Sequence, residues 1–451
     1  MTIRGTESTP ATGQLPATYY RYGLFVLFLV CMVSYFDRQI VTILAEPIKQ
    51  ELHISDTQLG LLTGFAFGIV YCTFGIPVAR LADRFSRIGV LSASLAFWSV
   101  CTILCGRAGN FSMLIASRMG VGIGESGSIP TGLALAADYA PRHKRASALA
   151  FFAMGTPVGS LLGLALGGII AGAYGWRIAF LLAGLPGLLL AILVLTTLRN
   201  SADSRLIAEK SVPPAPATQT SNTTFRGVLG YVLPKKTFWL VAFGAAIKAF
   251  IGFGQQPFIA AFFLRVHTAQ IAHLGAQFGL KPIGVVGISL GVLGGVFGSL
   301  SNWLGGVIAD RYAARDLRAF GTIPACAALA AIPFACTAVL VHSAVAAFVL
   351  LIPGSLLSGL WFGPGLACVQ GVVPREMRAT ASSIALFIIN IVGFGFGALV
   401  VGALSDLFQH GLGLSSAEGV RWALVVSSFA GVGAAALFWR ARRYIREEVV
   451  N

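Results

Sequence analysis

Five charged side chains lie within apolar stretches that are long enough to cross a bilayer: Asp37, Arg38, Arg118, Glu125 and Lys248. A charge placed in hydrocarbon costs roughly 2.5 to 3.5 kcal/mol on insertion scales, so each of these residues is a candidate for function. A buried carboxylate beside an arginine can take up and release a proton when its access to water alternates. The residue types therefore predict proton chemistry together with the binding of a charged ligand.

Four of the five charges fall in two apolar segments of the first half. Asp37 and Arg38 are neighbours, and neighbouring helical positions point about 100° apart, so we expect them to face different partners. Arg118 and Glu125 are two helical turns apart, about 10 Å along the axis, and share a face that should line a cavity. We predict Glu125 as the proton carrier, with Asp37 as the second choice. The alternative is a static buried ion-pair network that fixes the register of the helices.

The second half contains one intramembrane cation, Lys248, and many apolar and aromatic residues. Its ammonium is predicted to meet an anionic headgroup, and the alternative is that it snorkels to a membrane interface. A cavity with charge in one half and aromatic rings in the other suits an amphipathic ligand better than a hydrophilic sugar. The predicted substrate cavity comprises Lys248, Gln255, Gln256, Trp361, Phe362 and Asn390.

The composition of the chain predicts the membrane-spanning helices that position these residues. The 451 residues are 56% hydrophobic and only 11% charged, with a mean hydropathy of +0.81, whereas charged residues make up roughly a quarter of a soluble domain. Stretches of about 20 apolar residues predict an all-α membrane protein with twelve transmembrane helices in two six-helix bundles. The spans lie near 22–45, 57–79, 88–107, 111–137, 147–173, 177–198, 237–264, 284–309, 319–341, 344–370, 379–404 and 420–439.

The formal net charge of +15 raises the question of a nucleic-acid partner. Most of the 32 lysines and arginines lie in the terminal tails and in loops on one side of the predicted membrane, so the positive-inside rule places both termini in the cytoplasm and nucleic acid is excluded as a partner. The predicted organisation is a cytoplasmic tail (1–20), a first bundle (21–198), a cytoplasmic linker (199–236), a second bundle (237–441) and a cytoplasmic tail (442–451).

One charged cluster occurs twice, each time where a long apolar segment ends. Asp83-Arg84 returns about half the chain later as Asp310-Arg311, which indicates a duplicated architecture. Carboxylates and arginines at helix ends can pair and latch one conformation. The alternative is a solvated basic loop that serves only topology. The predicted cytoplasmic latch comprises Asp83, Arg84, Arg87, Arg145, Asp310, Arg311 and Arg378.

The duplicated Asp-Arg signature resembles the loop signature of the major facilitator superfamily, although Ala79 and Ser86 stand where glycines are usual. Further motifs resemble the spinster family within it: the first-span run Tyr35-Phe36-Asp37-Arg38, the outer run 51–62, and Gly120-Val121-Gly122-Ile123-Gly124-Glu125. The resemblance implies alternating access between two rocking bundles and a role for Asp37, Arg38, Arg118 and Glu125 in coupling protons to transport.

The resemblance also implies a substrate and a location. Spinster proteins export lysolipids and sphingosine phosphate, so we expect proton-coupled transport of an amphipathic anionic lipid such as a lysophospholipid or sphingoid phosphate. The alternative is an organic-anion or drug transporter of the same superfamily. We expect a monomer that contacts membrane lipids in a cell membrane, in a bacterium the inner one, without cofactor or metal. A membrane enzyme is disfavoured because no nucleophile or His-carboxylate constellation lies at a membrane face.

Overall fold

The computed structural model describes residues 17–199 and 225–449, and this part of the chain is helical with no strand. Within it, eleven helices are long and apolar enough to cross a bilayer. In the first half these are α1 (Thr18–Leu52), α2 (Asp56–Ala82), α3 (Arg87–Gly106), α6 (Arg145–Tyr174) and α7 (Trp176–Thr197). In the second half they are α9 (Lys236–Val266), α11 (Pro282–Ala313), α12 (Ala319–Leu340), α13 (Ala344–Gly371), α14 (Arg375–Gly411) and α15 (Ser416–Glu448).

The apolar segment predicted as one helix over 111–137 is instead two, α4 (Phe111–Glu125) and α5 (Ser128–Tyr139). At the break, the Ser128 hydroxyl donates to the Glu125 carbonyl over 2.8 Å. Gly127 lies so close to α2 that an added Cβ would come within 2.2 Å of a Val78 methyl. The interruption therefore places Glu125 at the end of a helix rather than within one. Two short helices, α8 (Phe225–Val232) and α10 (Thr268–Ala276), complete the set.

In each half, the start of the first helix and the end of the last helix lie on the same side of the protein. The Tyr22 hydroxyl donates to the Thr197 hydroxyl over 2.8 Å, which joins the start of α1 to the end of α7. The Thr237 amide donates to the Glu448 carboxylate over 2.8 Å, which joins the start of α9 to the end of α15. We call this the terminal side and the opposite one the distal side. The linker positions 200–224 and the tail positions 1–16 lie outside the described residues.

The buried apolar side chains form three clusters with a clear spatial division. One cluster on the distal side draws residues from both halves, for example Ile43 of α1 and Phe263 of α9. The other two lie toward the terminal side and each belongs to one half, with Phe152 in the first half and Phe438 in the second. The halves are therefore packed together on the distal side and have separate cores toward the terminal side.

The helices that pack across the two halves approach at backbone distance. A Cβ on Gly60 of α2 would lie 2.1 Å from the Ala398 carbonyl oxygen of α14, and one on Gly168 of α6 would lie 2.5 Å from the Ile283 carbonyl oxygen of α11. Glycine permits this contact where no hydrophobic effect drives helices together. π-helical turns interrupt three of these four helices, a feature frequent at functional sites. These interruptions are Leu61–Phe65, Leu293–Phe297 and Ile391–Phe396, and α14 also ends in a π-helical turn, Leu407–Gly411.

Candidate functional site

A buried ion pair joins α1 to the end of α4. Arg38 Nε donates to Glu125 Oε2 over 2.6 Å, and the two side chains are 8% and 0% exposed. The Ser34 hydroxyl, one helical turn before Arg38, donates to the same oxygen over 3.1 Å. The pair is buried away from bulk water, so each charge is stabilised mainly by the other. Removing one partner would leave an uncompensated buried charge.

Asp37 faces a different helix, as the 100° rule predicts. Its Oδ2 accepts hydrogen bonds from Trp98 Nε1 over 3.1 Å and from the Thr102 hydroxyl over 3.4 Å, both on α3. Arg118 of α4 reaches the backbone carbonyl of Asp37 over 3.5 Å. The four predicted coupling residues therefore form one cluster, which includes Trp98 and Thr102, two residues that the sequence analysis did not single out.

Each of the four charged groups keeps one buried polar atom without a hydrogen-bond partner in the described structure. These atoms are Asp37 Oδ1, Arg38 Nη2, Arg118 Nε and Glu125 Oε1. Buried polar atoms are rarely left unpaired because their desolvation is costly, and active sites are a common exception. The cluster therefore retains unused capacity to bind a proton or water at both carboxylates.

Glycines bring α4 close enough to its neighbours for this cluster to form. A Cβ on Gly124 would lie 2.7 Å from the Trp98 Cβ, and one on Gly122 would lie 2.9 Å from the Phe67 carbonyl oxygen. The glycine run before Glu125 thus packs α4 against α3 and α2. Gly122, Gly124 and Gly127 also have the spacing of a dinucleotide-binding fingerprint, but that motif requires a preceding strand, and the described part of the chain contains none.

Arg38 also faces a pocket between the two halves. Its guanidinium carbon lies 4.4 Å from the ring centroid of Tyr71 and 6.0 Å from that of Phe394, which belongs to the second half. Phe394 stacks on Phe253 with centroids 3.8 Å apart. The pocket has a volume of about 40 Å³ and its lining includes Gln256 of α9. We call it the interbundle pocket.

The predicted substrate residues of the second half do not share one cavity. Lys248 and Gln255 line a cavity of about 190 Å³ inside the second half, which we call the Lys248 cavity. Gln256 lines the interbundle pocket. Trp361 and Phe362 line a small apolar cavity between α9, α13 and α14. Asn390 lies on α14 just before its π-helical turn. Adjacent residues on α9 thus face different cavities.

The predicted cytoplasmic latch residues lie at the terminal side. Arg84, Arg145, Asp310 and Arg311 are exposed, and Arg378 is half-buried. Arg87 Nη1 donates to Asp138 Oδ2 over 2.7 Å, which ties α3 to α5 within the first half. The side chain of Asp83 lies outside the described part of the chain. Latching by these residues stays a prediction.

An ion cluster on the distal side joins the halves directly. Arg265 at the end of α9 binds Asp56 through Nη1 over 2.9 Å and Nη2 over 2.8 Å, and binds Glu46 through Nε over 2.8 Å. Lys49 Nζ lies 2.7 Å from the same Asp56 carboxylate. From α14, Asp406 accepts the backbone amide of Asp56 over 3.0 Å and so caps the start of α2. We call this the distal ion cluster. Of its residues, only Asp56 lies in a motif noted in the sequence, the outer run 51–62.

A histidine lies two residues after Arg265, outside the membrane helices. His267 follows α9, and burial, together with the nearby Arg421 charge, lowers the pKa of its imidazole. Its ring packs against those of Phe262 and Phe263. The lowered pKa favours the neutral form of the imidazole.

The sequence and the fold were compared with those of known proteins. The family model of the Major Facilitator Superfamily matches residues 27–398, most of the chain. The chain belongs to the Major Facilitator Superfamily. It is a multi-pass membrane transporter and not an enzyme, as the sequence analysis predicted.

Relatives within the superfamily include spinster proteins. The chain is 34% identical to an MFS-type efflux pump of Mycolicibacterium smegmatis over 94% of this chain and 92% of that protein. It is 25% identical to protein spinster homolog 1 of Xenopus laevis, covering 94% and 81%. A solved bacterial homolog of the human lysosomal transporter spinster, inward-facing and unoccupied, superposes with a TM-score of 0.84 at 26% identity, covering 97% of this chain and 100% of that one. The predicted resemblance to spinster is confirmed.

Proposed function

We propose that this transporter couples proton movement to transport of an amphipathic anionic lipid, a lysophospholipid or sphingoid phosphate, by alternating access. The observation that carries the proposal is the buried Arg38–Glu125 pair, 2.6 Å apart, beside a pocket between the two halves. A transporter that only guides substrate has no need of a titratable pair at the point where its halves meet.

The topology we propose counts α4 and α5 as one crossing, which gives twelve crossings in two bundles of six. The excess of lysines and arginines on the terminal side then places both termini in the cytoplasm. In this orientation the structure is inward-facing, because the halves share a core on the distal side and have separate cores toward the cytoplasm. A monomer in a bacterial inner membrane fits this arrangement.

Proton uptake at Glu125 would remove the negative charge that Arg38 now faces. The guanidinium would then need another anion or water, because a buried unpaired cation is costly. Its place beside Phe394 of the second half gives a physical link between the protonation of Glu125 and the packing of the two halves. Asp37, held by Trp98 and Thr102, is the second candidate for the same role.

The distal ion cluster and the predicted cytoplasmic latch would stabilise opposite states. The distal ion cluster crosses between the halves and is formed in this structure, so it favours the inward-facing state. The duplicated Asp-Arg clusters lie at the C-terminal ends of α2 and α11, away from the distal side. They would pair when the cytoplasmic side closes. Alternating access requires that each set breaks as the other forms.

A second candidate is an organic-anion or drug transporter of the same superfamily. The 34% identity to a protein named as an efflux pump favours it, since that match covers 94% of this chain. Both candidates use the same proton machinery and differ in the ligand. Apolar and aromatic linings at the pockets support the lipid.

Transport into proteoliposomes tests the proposal. Purified protein is reconstituted with a pH gradient, and flux of a lysophospholipid, a sphingoid phosphate and a hydrophilic organic anion is followed with and without an ionophore that collapses the gradient. The proposal expects gradient-dependent flux of a lipid. Flux of the organic anion alone supports the second candidate, and lipid flux that ignores the gradient contradicts proton coupling.

A further inference from the structure

Lys248 of α9 is a cation inside the membrane-spanning part of the protein, yet it has no carboxylate partner. It is 5% exposed, and within residues 17–199 and 225–449 the structure gives it no ion pair and no hydrogen bond. The two other intramembrane cations do have partners. Arg38 forms an ion pair with Glu125. Arg118 contacts a backbone carbonyl, and its guanidinium carbon lies 5.4 Å from the Phe67 ring centroid. A buried lysine without a partner is costly, so it is expected to serve a ligand.

The space beside Lys248 is a built cavity. Its volume of about 190 Å³ is many times the roughly 15 Å³ that one water molecule needs. Polar groups converge on it from three helices: Lys248 and Gln255 from α9, Ser355 and Ser358 from α13, and Ser428 from α15. Gly252, one helical turn from Lys248, lines the same cavity, and a Cβ added there would meet nothing within 4 Å.

One wall of the cavity is fixed by hydrogen bonds. Gln255 Nε2 donates to the hydroxyls of Ser427 and Ser428, both over 2.9 Å, and the Ser428 hydroxyl donates to the Leu424 carbonyl over 2.8 Å. These bonds hold α9 against α15 at the level of the cavity. The lysine is therefore the flexible charged group in a site whose other wall is already arranged.

The remaining lining is aliphatic. Besides Gly354 and Gly431, it comprises Ile251, Ile259, Ala328, Ala331, Ile332, Ala335 and Leu351. A cation and hydroxyls beside an apolar wall match a ligand that carries an anionic head and an apolar chain. A small inorganic anion would leave the apolar wall unused, and a neutral lipid would leave the ammonium unpaired.

We propose that Lys248 binds the anionic headgroup, phosphate or carboxylate, of an amphipath in the Lys248 cavity, apart from the proton cluster of the first half. The identity of this amphipath as the transported ligand rests on the proposed function. In this arrangement the first half carries the proton, at Glu125 or at the second candidate Asp37, and the second half recognises the charge of the ligand.

Equilibrium binding to the full-length protein in nanodiscs tests this without any proton gradient. The probes are lauroyl lysophosphatidic acid, laurate, neutral monolaurin with the same chain, and inorganic phosphate. Wild-type protein is expected to bind one or both anionic amphipaths at least tenfold more tightly than monolaurin, and inorganic phosphate weakly. The phosphate and carboxylate probes tell the two headgroups apart.

Lys248→Met should abolish the preference for anionic over neutral amphipath, and without ligand it should raise the melting temperature, because a buried ammonium is replaced by an apolar side chain of similar length. If Lys248 only snorkels to a membrane interface, its replacement by methionine would lower the melting temperature or leave it unchanged. Lys144→Gln, at a position exposed on the terminal side, is the matched control and should bind as wild type. The proposal is overturned if Lys248→Met keeps the preference or if wild type shows none.

Two further variants keep the result interpretable. If Lys248→Met does not fold, Gly252→Val, which fills the open space beside the lysine, should lose at least tenfold in affinity for the anionic amphipath, and unchanged affinity overturns the proposal. Glu125→Gln should retain the Lys248-dependent binding. Wild-type protein that binds the anionic amphipath through Lys248 but shows no flux driven by a pH gradient would count against the proposed function alone.

Discussion

Replacing Arg265 with alanine should open the distal side of the transporter. Arg265 belongs to the second half, whereas Glu46 and Asp56 belong to the first, so all of its ion pairs cross between the halves. Its side chain is 5% exposed and binds Asp56 in a bidentate manner. The substitution therefore acts on the packing of the two halves rather than on the core of either one.

The size of the effect follows from the contacts that are lost. Removing one partner of a buried ion pair costs about 3 to 5 kcal/mol. Here Lys49 remains 2.7 Å from Asp56 and partly compensates it, so we expect about 2 to 3 kcal/mol relative to the state in which the distal side is open. That energy shifts the ratio of distal-closed to distal-open molecules by roughly 30- to 150-fold.

Chemical labelling of a single cysteine measures this ratio. The seven native cysteines are replaced, and Thr63, which lines the interbundle pocket, is changed to cysteine. A membrane-impermeant maleimide is added only on the distal side of sealed vesicles. Arg265→Ala should raise the labelling rate at least tenfold, because the reagent reaches position 63 only when the distal side opens.

The control uses another ion pair on the same side of the protein. Arg177 binds Glu51, and both residues belong to the first half, so Arg177→Ala removes a distal ion pair without removing a contact between halves. It should leave the labelling rate near that of the parent. An unchanged rate in Arg265→Ala, or an equal rise in Arg177→Ala, would refute the assignment of the distal ion cluster as a latch.

Two further substitutions test the packing that supports the site. Gly402→Ala should also raise distal labelling, because a Cβ there would lie 2.1 Å from a backbone oxygen of α2; Gly294→Ala, with nothing within 4 Å, is the control and should not change the rate. Trp98→Phe removes the 3.1 Å hydrogen bond to the buried Asp37 carboxylate and should lower the unfolding free energy by about 1 to 3 kcal/mol. Trp303→Phe at an exposed position should change it little, and equal losses in denaturant unfolding would contradict the role of the indole.

Sequence reasoning captured the features that depend on local pattern. Apolar length located the membrane helices, and helical geometry correctly placed Asp37 and Arg38 against different partners. It missed the break between α4 and α5, because both pieces are apolar and hydropathy does not register a turn between them. Ser126, Gly127 and Ser128, which directly follow Glu125, were the sequence signal that could have indicated this break.

Features that depend on packing between distant segments were not predicted. The partners Arg265 and Asp56 are 209 residues apart, and neither residue stands out by type or spacing. Lys248 was placed in one substrate cavity with Gln256, yet their positions on α9 differ enough that one faces the inside of the second half and the other faces the first half. Such assignments require the relative placement of helices, which the sequence pattern does not contain.

The central claim is that Glu125 couples protons to transport, and one measurement on Glu125→Gln tests it most directly. Glutamine keeps an acceptor for the Arg38 hydrogen bond but does not exchange a proton at neutral pH. In proteoliposomes, wild-type flux should rise with an imposed pH gradient. The variant should retain substrate exchange at equal pH on both sides and lose the response to the gradient. A variant whose flux still follows the pH gradient as wild type does would contradict the account.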